Sequence, residues 1–119
     1  MSQGSAFMRF RPALDRGNVT EALAAASELD FVSLAEALEL TLLLADGDLE
    51  KYSRAALRWH VRFIEETKNV DIRESQAVLA LRTAIPANVL AAAAIAELLS
   101  RRRSCEQIAE ALVRWSRAS

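Results

Sequence analysis

The sequence predicts an all-α fold of about six helices arranged in antiparallel hairpins. Three observations predict it. Turn formers are scarce, with Gly 3 and Pro 2 in 119 residues, whereas a sandwich or barrel needs a turn every few residues. Apolar residues recur at helical spacing almost to the end of the chain. Where that spacing pauses, helix-start chemistry stands: Asn18 before Glu21, Ser33 before Glu36, Asp71 before Glu74 and Ser104 before Gln107. In each pair a cap oxygen can accept an orphan N–H, and the third residue can reach back.

Taken in order, residues 1–8 carry Ser, Gln and Gly and read as a flexible leader, with residues 9–119 as one helical domain. A short turn is expected around 12–16. Helices follow at about 19–29, 34–45, 49–68, 72–84, 87–102 and 105–117. Gly47 is expected to end one helix in the left-handed conformation while Asp48 caps the next. Pro86 suits a first turn, where its missing N–H costs nothing. The links are short, which makes successive helices antiparallel neighbours. A compact bundle and a short solenoid obey the same local rules.

Gly17-Asn18-Val19-Thr20-Glu21 returns thirty positions later as Gly47-Asp48-Leu49-Glu50-Lys51, and Ala25-Ala26 returns as Ala55-Ala56. The shared physics is a helix stop, a cap, an aliphatic anchor and a close-packing alanine pair. A third start, Asp71-Ile72-Arg73-Glu74, keeps cap and anchor without the glycine. On these residues the stretch from Leu14 to Phe63 resembles tetratricopeptide-like repeats, whose turn and second helix often read Gly-Asp-aromatic-x-x-Ala. The repeat here is shorter than the usual length of about 34 residues. Tyr52 stands where such repeats favour a small residue, and Leu40 where they favour glycine. The resemblance implies helical hairpins that stack.

A chain this long buries roughly two-thirds of its unfolded surface and needs no disulfide or metal to fold. The formal net charge of −1 provides no global field for nucleic acid or membrane. Cys105 is the single cysteine, which fits a reducing cytoplasm. Met1 to Phe10 holds no apolar run of signal-peptide type. The longest apolar stretch, Ala87 to Leu99, is interrupted by Asn88 and Glu97 and is too short to span a membrane.

The third expected helix, Leu49 to Lys68, carries the most chemistry. At about 100° per residue, Leu49, Tyr52, Ala56, Trp59, Phe63 and Ile64 share one side. Lys51, Arg54, Arg58 and Arg62 form a basic stripe on the other. Such a stripe can meet phosphate or an acidic partner, or it can be a solvated face with some arginines paired to Glu36, Glu39 or Glu65. His60, the only histidine, falls on the apolar side. There it reads as a core histidine with a hydrogen-bond partner, or as one wall of a pocket with Tyr52 and Trp59.

The helix holding Val89, Leu90, Ile95, Leu98 and Leu99 is apolar nearly all round. It must be central or lie in an interface, and a symmetric dimer is the commonest soluble oligomer. Arg101 to Arg103 suit the negative end of that helix. Cys105, in the first turn of the last helix, is expected to have a lowered pKa there beside those arginines, yet to be a packed, inert thiol. Gln107 to Leu112 resembles the first helix of a DNA-binding helix-turn-helix. With four residues after Trp115, no recognition helix is expected.

No phosphate loop, CxxC pair, HExxH or calcium loop is present in the sequence. The leading expectation is a non-enzymatic interaction or scaffold module without cofactor, with a protein partner or a second copy as homodimer. One alternative is a nucleic-acid-binding regulator using the basic face. The other is a small-molecule-binding bundle with Tyr52, Trp59 and His60 lining its pocket.

Overall fold

A computed structural model describes residues 3–85 and 88–118. The regular structure among the described residues is all helical, without a strand. The helices are α1 (Gln3–Arg16), α2 (Val19–Ser27), α3 (Leu34–Ala45), α4 (Leu49–Glu66), α5 (Ile72–Thr83), α6 (Val89–Leu99) and α7 (Glu106–Ala118). A 3-10 turn, Arg103–Cys105, precedes α7.

Residues 3–8, expected as a loose leader, belong to α1, and so do residues 12–16, expected as a turn. Pro12 lies inside this helix and deprives it of one backbone bond. Packing overrides that cost, because Phe10, Ala13 and Leu14 are buried against Ala22 and Ala25 of α2. Gly17 closes α1 at φ +71, and the Asn18 N–H returns to the Ala13 carbonyl at 2.9 Å, in the manner of a left-handed helix stop.

Three caps form as read. Asn18 accepts from Glu21 N, Ser33 from Glu36 N, and Asp71 forms a full reciprocal box with Glu74. Asp48 caps α4 by accepting from Lys51 N. Two expected devices differ. Gly47 does not take positive φ; the stop at α3 uses right-handed Asp46 instead. Ser104 falls inside the 3-10 turn and not at a cap. Pro86 and Ala87 lie outside the described residues. Asn88 caps α6 through Leu90 N, so that helix is shorter than the sequence suggested at both ends.

α1 pairs with α2, α3 with α4, and α6 with α7, while α5 bridges α4 and α6. α7 then packs back on α3, a closure absent from a stack in which hairpins touch only their neighbours. The arrangement is a bundle, with a radius of gyration of 13.7 Å against about 13.5 Å for a compact chain of this length.

α3 organises the interior because it is apolar on nearly every side. Leu38, Leu42 and Ala45 enter the main core with Tyr52, Trp59, Phe63, Leu81, Leu99 and Leu112. Leu40 and Leu43 face the separate cluster under α1 and α2. Arg11 of α1 grips Glu39 of α3 with two bonds, 2.7 and 3.0 Å, and fixes the first hairpin on the bundle.

Candidate functional site

A groove of about 280 Å³ opens between α2, α3 and α4. Its floor is the α3 stripe Ala37, Leu40, Thr41 and Leu44, which share a face at spacings of three and four. Leu23 of α2 forms one wall, and Trp59 with Arg58 and Arg62 of α4 the other. The Thr41 hydroxyl is satisfied by the Ala37 carbonyl at 2.8 Å, so the floor presents apolar surface without a free polar group there. The Trp59 indole donates to the Leu34 carbonyl at 2.7 Å, and its ring stacks on Phe63 at 5.5 Å. Both contacts hold the wall rigid.

The basic face is present on α4, but three of its four cations are engaged. Lys51 reaches Asp48 at 4.0 Å, Arg54 reaches Glu50 at 3.6 Å, and Arg62 reaches Glu66 at 2.7 Å. Arg62 also donates to the Val32 carbonyl at 2.8 Å and lies over Phe31. The partners are therefore residues on the same helix or at its cap, and not Glu36, Glu39 or Glu65. Glu39 instead takes Arg11 and Arg114. Among the described residues Arg58 makes no hydrogen bond or ion pair, and it stands at the groove rim.

The trio Tyr52, Trp59 and His60 does not enclose one pocket. Tyr52 is 1% exposed, and its hydroxyl donates to the Leu81 carbonyl. Only Trp59 borders the groove. His60 is half-buried on a different side of α4, and its Nε2 is buried without a hydrogen-bond partner, contrary to the satisfied histidine that was expected. Burial, and then the nearby Arg82 charge, lower its pKa. On the apolar face of α4, Tyr52, Ala56, Trp59 and Phe63 are buried, whereas Leu49 and Ile64 stay exposed. The covered stripe is narrower than the wheel suggested.

The five apolar residues assigned to an interface on α6 separate by environment. Ile95 and Leu99 are buried in the chain's own core, Val89 and Leu98 are half-buried against it, and Leu90 is 81% exposed. The α5–α6 and α6–α7 contacts cover the first two, so Leu90 alone is open to a partner. Cys105 is also buried, and burial raises its thiol pKa despite the opposing pull of Ser104 and Arg102. The expected lowering fails because desolvation outweighs the charges nearby.

Sequence reasoning missed a charged clip. Arg102 donates to both carboxylate oxygens of the buried Glu74, at 2.5 and 2.6 Å, and to the Lys68 and Asn69 carbonyls at 2.9 Å. Its hydrogen bonds hold the Glu74 carboxyl below the ordinary range. The clip ties the α4–α5 link to the end of α6. Glu74 was legible only as a capping residue, and Arg102 only as one of three arginines at a helix end. The groove floor did leave a signal: α3 is more apolar than burial of one face requires.

Among the described residues no group of three or more His, Cys, Asp or Glu is placed to hold a metal ion. No helix among them is long and apolar enough to cross a membrane. No protein-family model matches the chain, and neither a curated protein nor a solved structure matches it.

Proposed function

We propose that this chain is a non-enzymatic protein-interaction module that holds a short partner segment in the groove between α2, α3 and α4. The observation that carries the reading is Arg58, a cation without a partner beside an apolar floor. An apolar side chain of the partner would fill the space over Leu40 and Leu44, and an adjacent Asp, Glu or chain-end carboxylate would meet the Arg58 guanidinium. Apolar anchors supply most of such binding, and the charge sets orientation. Nucleic acid is less well served, because the acids at Asp48, Glu50 and Glu66 offset the rest of the basic face and a phosphate backbone needs a run of free cations. The single, buried thiol suits a cytoplasmic setting.

The test is peptide selection. A random twelve-residue display library is selected on the wild-type chain, and the winners are synthesised and titrated by Trp fluorescence. The expected winners pair an aliphatic or aromatic residue with a neighbouring acid. Leu40→Asp and Arg58→Glu should each weaken them by about tenfold or more. Winners that bind both variants as well as wild type would overturn the assignment.

A further inference from the structure

A second concavity lies elsewhere, between α6 and α7, with a volume of about 530 Å³. Its middle is lined by Ala93, Ala96, Ala109 and Val113. Leu90, exposed to solvent, continues the Ala93 stripe one turn toward the start of α6. The charges divide by end. Glu97, Glu106 and Glu110 stand where α6 leads into α7, and Arg114 and Arg117 stand at the far end. Among the described residues Glu97, Glu106, Glu110 and Arg117 have neither an ion pair nor a side-chain hydrogen bond; Arg114 reaches Glu39 at 3.3 Å.

We infer that this groove is the contact surface of a two-fold dimer, with a second copy of the chain as its occupant. The argument is charge complementarity under rotation. Glu106, Glu110, Val113 and Arg117 lie on one face of α7 at spacings of three and four. Glu106 and Arg117 are separated by about 16 Å along the helix at its usual rise. A two-fold axis across the middle of α7 sets the copies antiparallel, brings Glu106 of each opposite Arg117 of the other, and places Ala109 and Glu110 of each beside Val113 and Arg114 of the other between them. A symmetric interface is self-complementary in this manner. Within one chain Glu106 and Glu110 repel each other at i,i+4, and a cation from the second copy relieves that repulsion. The helix dipole accounts for acids early and bases late in α7. It does not account for an alanine-floored groove between them or for an uncovered Leu90 beside it. The surface is separate from the α2–α3–α4 groove, so the two readings stand independently.

The test is mass by sedimentation equilibrium on the full chain, over a wide concentration series at low and high salt. Wild type is expected to dimerise, and more weakly at high salt. Glu106→Arg and Arg117→Glu, each alone, place like charges opposite one another and should weaken the dimer by on the order of tenfold or more. An equimolar mixture of these two variants restores both attractive pairs and should form a heterodimer, and Leu90→Ala should weaken the dimer without changing its salt dependence. Far-ultraviolet circular dichroism of each variant verifies folding. A wild-type chain that stays monomeric at every concentration overturns the inference. So does a dimer indifferent to both charge reversals, or a mixture that fails to associate while both variants are folded.

Discussion

Tyr52→Phe removes one oxygen and leaves the packing of α4 intact, so its effect can be worked out in advance. The Tyr52 hydroxyl donates to the Leu81 carbonyl from α4 to α5, and both residues are almost fully buried. Leu81 lies in the last turn of α5, where carbonyls lack intrahelical donors. The substitution therefore strands a buried acceptor at a cost of about 1–3 kcal/mol, with no cavity contribution because the ring remains. For 119 residues, an unfolding entropy of about 2.1 cal/mol/K per residue converts that loss into a fall in Tm of about 4–12 °C. Urea unfolding followed at 222 nm should show a lower midpoint at unchanged slope. A loss under about 0.5 kcal/mol, the size of an ordinary surface change, would refute the claim that this bond satisfies the end of α5.

Titration of the chain's one tyrosine gives a second reading of the same burial. The folded Tyr52 pKa is raised by desolvation, so its stabilising effect is complete below the unfolded value of 10.0 and fades as pH rises above it; absorbance at 295 nm should change together with alkaline unfolding and not before. His60 has the opposite sign of shift, its folded pKa being lowered by burial and by Arg82 from 6.5. Stability should be complete above that value and decline as pH falls below it. His60→Leu should flatten the dependence of the urea midpoint between about pH 7 and 5.5, and an equal decline in wild type and variant would contradict it. Cys105, buried and with its thiol pKa raised, should react with a disulfide reagent at neutral pH only at the rate of opening. Rapid labelling of the folded chain would mean that the turn before α7 exposes it.

Local chemistry was the most legible part of the fold. Asn18, Ser33, Asp48 and Asp71 could be read as caps because each needs only its own side chain and an N–H three residues on. α1 was hidden for the converse reason. Pro12 breaks the helical signal, and the residues that override it, Phe10 and Leu14, find their partners in α2. Gly17 and Gly47 occupy equivalent places in the thirty-residue echo, yet only Gly17 adopts positive φ. Sequence equivalence cannot reveal that the chain leaves α3 through a right-handed Asp46.

The candidate surfaces separate in the same way. The basic residues Lys51, Arg54, Arg58 and Arg62 share α4, and helical geometry alone fixes their spacing along it. Which of its cations is free was decided by acids at Asp48, Glu50 and Glu66, whose rotamers the spacing leaves open. Arg58 stands out because the position four residues N-terminal to it is Arg54 and the position four residues on is Arg62, so neither i,i+4 neighbour can neutralise it. α6 was recognised as too apolar for one face, but its burden divides: Ile95 and Leu99 are covered by the chain's own core, and Leu90 is not. A helix can be half internal and half contact surface at once. That division is why we propose the groove that α6 makes with α7, and not α6 alone, as the contact surface: the acids and arginines of α7 supply an orientation that the α6 apolar residues could not.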